Sequence, residues 1–145
     1  MNDEEKKVKH LEMIEAIIER MGKNSFQLKG WAVTLVTVIG GLAAQGTEKR
    51  FFILAFVPTL AFWMLDAFYL QIERKYKNLY KKVQNGEANP YDLDTQEITA
   101  RKEHDCSLRF MNCMFSPTIG WFYIAVGGTV LVLARLIGVF SVGEQ

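Results

Sequence analysis

The sequence predicts an all-α integral membrane protein. It should have three transmembrane helices, an N-terminal amphipathic cytoplasmic helix and a helical cytoplasmic insertion. Three observations carry this. First, the 145 residues are 50% hydrophobic, yet the 17 basic and 16 acidic side chains are sorted into blocks. The windows 31–44, 51–70 and 117–134 contain a single charge, Asp66. Second, the charged segments repeat apolar residues at helical rather than strand spacing. Third, Gly, Pro, Asn and Ser fall where such helices should start and stop. Charge segregation of this kind excludes a disordered chain and a disulfide-stapled module. A buried helix of a soluble bundle is the competing reading, but three such runs need more interior than a short chain can enclose.

Residues 1–23 form the first element, a cytoplasmic amphipathic helix. Leu11, Ile14, Ile18 and Met21 recur at 3-4-3 spacing and make its apolar stripe, with Glu12, Glu15, Glu19 and Arg20 opposite. Gly22 can end it, and Asn24 or Ser25 can cap the next helix. The first 24 residues have no apolar central region, so no cleavable signal peptide is expected.

The first span is placed at 26–46. It reaches membrane length, about 20 residues, only if Lys29 snorkels to the headgroups. Gly46 and Thr47 then make a tight hairpin. The second span lies in 50–83, and Phe51–Leu70 meets the required length alone. Its helix should continue into the cytoplasm, because Ile72, Tyr76, Leu79, Tyr80 and Val83 keep one helical face. A single helix over 51–83 would be about 50 Å long. Pro58 should kink it by removing a backbone bond.

Segment 84–116 is read as a cytoplasmic loop followed by a helix. QNGEANPYDLDT is rich in turn formers, and roughly 96–115 presents Cys106, Phe110, Cys113 and Met114 on one side. Ser116-Pro117 starts the third span, 117–142, as an N-cap followed by a first-turn proline.

Lys and Arg orient the spans. Fourteen of the 17 lie in 1–30 and 71–117, so that side should be cytoplasmic and the C-terminus periplasmic. Trp31 and Trp121 fall at cytoplasmic span ends, where indoles prefer the interface; Trp63 lies deeper and reads as packing. The expected location is the bacterial inner membrane, with the lipid bilayer as the main partner. The basic run Arg74, Lys75, Lys77, Lys81 and Lys82 can contact anionic lipid headgroups. A net charge of +1 gives no case for nucleic acid.

Few residues suggest chemistry. Asp66 is the one acid in a span, and such acids serve as proton or ion sites when they are not paired. Lys29 sits at the same depth, so a structural Lys29–Asp66 ion pair is expected. Arg135 belongs to the outer end of the third span. Gly40 and Gly41 on the first span, with Gly127 and Gly128 on the third, would let helices pack closely. His10, His104, Cys106 and Cys113 lack the spacing of a metal site, and no phosphate loop or nucleophile–base pair stands out. No catalytic residue and no cofactor is expected. The apolar stripes must find partners in water, either each other or neighbouring copies, so a homo-oligomer is expected, with a cytosolic signalling partner also allowed.

Two stretches, HLEMIEAIIERMGKNSFQLKGWAVTLV at 10–36 and FWMLDAFYLQIERKYKNLYKKV at 62–83, resemble a group of small, uncharacterised bacterial inner-membrane proteins. The resemblance covers about the first 83 residues. Members of such groups tend to be encoded in antiphage defence regions, near genes for TIR-type or nucleotide-signalling proteins. It implies a membrane effector and assigns no functional residue. The expected function is therefore a non-enzymatic effector that assembles and perturbs the membrane on a cytoplasmic signal; the alternative is a structural anchor or scaffold for a cytosolic partner.

Overall fold

A computed structural model describes residues 2–45, 55–88, 91–95 and 109–136. The described residues are helical apart from turns and short connections, with no strand among them. Four helices follow in order: α1 Asp3–Ala44, α2 Phe56–Gln84, α3 Phe110–Met114 and α4 Pro117–Leu136. The chain divides into two compact units. One takes Met1–Ser25 with Ala67–Cys113, the other Phe26–Asp66 with Met114–Gln145.

The expected break at Gly22 is absent. The amphipathic helix and the first span are one helix of 42 residues, not segments 1–23 and 26–46. The reason is phase. Ile14, Met21, Leu28, Ala32, Val36 and Ala43 are all buried, and each lies three, four or seven residues from the next buried side chain or its multiple. One apolar stripe thus runs through Gly22. A helical glycine costs only about 1 kcal/mol, less than losing that register.

Helix α2 continues past Leu70 to Gln84 without interruption, as its periodicity demands. It begins at Phe56, which corrects the expected role of Pro58. That proline is the third residue of the helix, where its missing N–H removes no intrahelical bond, so it kinks nothing. Residues 50–54 of the expected second span lie outside the described residues. So do Gly46 of the first span, 137–142 of the third, and His104 and Cys106. Of the expected helix at 96–115, only α3 is described.

Within the first unit, Ile14, Leu79 and Val83 form a buried core, with Leu11, Ile18, Tyr76, Tyr80, Ala88 and Leu93 packed on it. The two sequence stripes therefore meet each other; Met21 is buried and Ile72 half-buried. Helix α2 ends through Gly86, at φ 76°, with Gly86 N–H donating to Val83 O and Glu87 N–H to Lys82 O. This left-handed closure is the one glycine allows cheaply. Lys7 Nζ donates to Gln84 O at 2.8 Å, so a cation from α1 closes the negative end of α2.

In the second unit, Val36, Ala43, Ala55, Val130 and Ala134 form the core, with Ile39, Phe56 and Val126 against it. Among the described residues, two helices are long and apolar enough to cross a membrane, Asp3–Ala43 and Pro117–Arg135. Their most apolar windows are only 17% and 28% buried. Their apolar side chains therefore point outward, the reverse of a core helix in water.

Candidate functional site

The second unit surrounds a small polar cluster with apolar walls. Asp66 near the middle of α2 is completely buried, and Lys29 of α1 brings Nζ to 2.5 Å from its Oδ2. The expected ion pair is thus formed. The Lys29 side chain remains 19% exposed, and its ammonium sits 6.0 Å from the Phe122 ring centroid of α4, within cation–π range. Tyr123, one residue on, is buried beside this pair, and its hydroxyl has no hydrogen-bond partner among the described residues.

Trp63 builds the floor. Its Nε1–H donates to Met114 O at 2.9 Å. Its ring stacks on Tyr123, with centroids 6.2 Å apart and planes 17° apart, and meets Phe115 edge-on at 5.8 Å. The indole is packing, as its depth suggested, while Trp31 and Trp121 are 57% and 74% exposed. Four threonine hydroxyls are spent on their own helices: Thr34 donates to Gly30 O, Thr37 to Val33 O, Thr59 to Ala55 O and Thr129 to Ala125 O. An apolar groove of about 240 Å³ runs beside Phe122, between Val33, Val36 and Thr37 of α1 and Ala125, Val126 and Thr129 of α4.

This arrangement joins charges and aromatics in an apolar setting. It offers no nucleophile with an adjacent base. No group of three or more metal-ligating side chains occurs among the described residues. Comparison with protein families, curated proteins and solved structures finds no match for the chain.

Other expected residues fall elsewhere. A Cβ placed on Gly40, Gly41, Gly127 or Gly128 would meet nothing within 4 Å. Among the described residues no element approaches these glycines closely, where close packing was expected; Gly41 and Gly128 are exposed and Gly40 and Gly127 half-buried. Arg135 is exposed near the end of α4. In the first unit, Arg74 Nη1 lies 3.7 Å from the buried Cys113 Sγ, and burial pushes that thiol above its ordinary range against the pull of Arg74. Lys77 pairs with Glu73 at 2.5 Å. Lys81 is exposed, and Lys75 and Lys82 are half-buried, so the basic run is only partly available to headgroups.

Two contacts in the first unit had no sequence expectation. His10, 1% exposed, holds Nε2 2.8 Å from Asp92 O, with the Tyr91 ring 6.3 Å away. Tyr91 adopts φ 63°, and Asp94 N–H donates to Asp92 Oδ1. Tyr91 and Asp92 are therefore docked on α1 rather than free. A signal existed: His10 precedes Ile14 by four residues and so belongs to the buried stripe.

Proposed function

We propose that this chain is a non-enzymatic protein of the bacterial inner membrane that assembles as a homo-oligomer and perturbs or permeabilises the bilayer on a cytoplasmic signal. In this reading α1, α4 and the apolar segment 51–70 make three spans. The N-terminus and 71–117 are cytoplasmic and the C-terminus periplasmic, by the distribution of Lys and Arg. The exposed rings of Trp31 and Trp121 fit an interfacial belt.

One observation carries the reading: a buried Lys29–Asp66 pair inside a unit whose outer surface is apolar. Charges in such a setting are expensive unless paired. The pair acts as a latch. A signal that separates its members leaves two charges facing hydrocarbon, draws in water and drives the helices to rearrange.

Membrane depolarisation on expression, and dye leakage from liposomes, test the proposal. Lys29→Ala should leak more than the parent at equal protein. Phage infection is the first trigger to try, given the resemblance to proteins of defence regions. Membranes that stay intact with parent and latch-broken chains, under every trigger, would sink it.

A second reading is favoured by a specific observation. The stripes of Leu11, Ile14 and Ile18 and of Leu79 and Val83 are consumed inside the chain, so they recruit no second copy. A static anchor that holds a cytosolic partner and conducts nothing fits this. Recovery of a stoichiometric partner without leakage would favour the anchor.

A further inference from the structure

With its apolar stripe already covered by α2, the first unit leaves the charged outer surface of α1 open to contacts. On α1 that surface is sorted. At about 100° per residue, Val8, Glu12, Glu15 and Glu19 share one flank, and Lys9, Met13, Ala16 and Arg20 share the other. Both sets follow 4-3-4 spacing, and they lie about 130° to either side of Ile14 by the same helical geometry. All eight side chains are exposed, including Val8 at 54% and Met13 at 43%. Among the described residues, Glu12, Glu15, Lys9 and Arg20 join no ion pair, while Glu19 pairs at 2.8 Å with Lys23, which lies between the two flanks. Within one chain Lys9 lies one turn from Glu12 and Glu15 shares a groove with Lys77 and Lys81 of α2; between two chains the acidic and basic flanks of α1 are complementary.

We propose that copies of this chain associate side by side through these flanks, the acidic flank of one α1 against the basic flank of the next. The inference rests on the membrane placement above and replaces its assembly surface, which the buried stripes no longer supply. Insertion in one orientation makes neighbouring α1 helices parallel and holds them at one height. Arg20 then stands within about 1.5 Å of the level of Glu19, and Lys9 within about 4.5 Å of the level of Glu12. Met13 and Ala16 face the aliphatic stems of Glu12 and Glu15 between those pairs. Each copy uses two different flanks, so the contact is heterologous and builds a ring where the rotation between copies closes and an open row where it does not, rather than a two-fold dimer. Charge pairs of this kind set partner and register, and salt weakens them.

The test uses the full chain in detergent and in nanodiscs, with mass read by sedimentation. The parent should run as a multimer that shifts toward one copy in high salt. Lys9→Glu/Arg20→Glu makes both flanks acidic, and Glu12→Lys/Glu19→Lys makes both basic. Each variant alone should fall to the mass of one copy. Mixed in equal amounts, they should regain the parent mass, because alternation restores every acidic–basic contact. A parent of single-copy mass, a reversed variant with parent mass, or a mixture that fails to reassemble would each overturn the interface. Glu19→Cys/Arg20→Cys supplies a second readout: oxidation should link copies into a ladder absent from the parent, and no ladder counts against the contact. Assembly with intact membranes defeats only the permeabilising role; leakage from single copies defeats only this interface.

Discussion

Removing one member of the Lys29–Asp66 pair leaves the other charge buried without its counter-ion. Lys29→Met or Asp66→Asn should each lower stability by about 3–5 kcal/mol, read as a large drop in Tm in detergent. Lys29→Met with Asp66→Leu should cost less than either single change, since an apolar pair carries no stranded charge. Equal or additive losses in the double-mutant cycle would contradict the latch. Cys113 gives a prediction in pH. Its thiol is held above the ordinary range by burial, so the neutral form is the one the fold favours. Its stabilising contribution is full below the ordinary thiol pKa and is lost as pH rises through the raised value. Alkylation of Cys113 in the native protein should therefore need a higher pH than in the unfolded chain, while equal profiles would refute this. The ion pair was legible in sequence because two opposite charges stood at matched depth in otherwise apolar runs. Tyr123 was not, since its place beside Asp66 depends on how α4 packs, and nothing in the local pattern marks one tyrosine among the aromatics of 115–123.

Glycines separate what local rules decide from what packing decides. Gly22 satisfied the rule for a helix stop, yet it lies inside α1 with nothing near its missing Cβ. Gly22→Ala should raise stability by about 1 kcal/mol, measured by thermal unfolding. Gly86 is the opposite case: its φ of 76° makes Gly86→Ala destabilising by about 1 kcal/mol. If both substitutions had the same sign, the placement of the α1 and α2 ends would be wrong. The continuation of α2 beyond Leu70 was readable because Tyr76, Leu79, Tyr80 and Val83 kept phase. The same logic run through Met21 and Leu28 foretells the unbroken α1. A register shared by many buried side chains is worth more than one glycine's propensity.

At the level of the whole chain, the helical class and the meeting of the two stripes followed from periodicity. The docking of Asp92 on α1 was only half legible: His10 keeps phase with the buried stripe, but the backbone carbonyl it meets leaves no mark on residue spacing. Such carbonyl contacts have a practical consequence. The first residues of α1 look dispensable: Asn2–Glu5, Lys7, Val8 and Lys9 are exposed. Yet Lys7 closes a carbonyl 77 positions away, and His10 holds the backbone at Asp92. Trimming the chain to begin after residue 10 should fray the end of α2 and free the turn behind it, seen as faster amide exchange over 81–95. An expression design, a tag or a protease that clips this short leader thus acts on a distant part of the polypeptide, and a shortened version should not be assumed equivalent to the intact one.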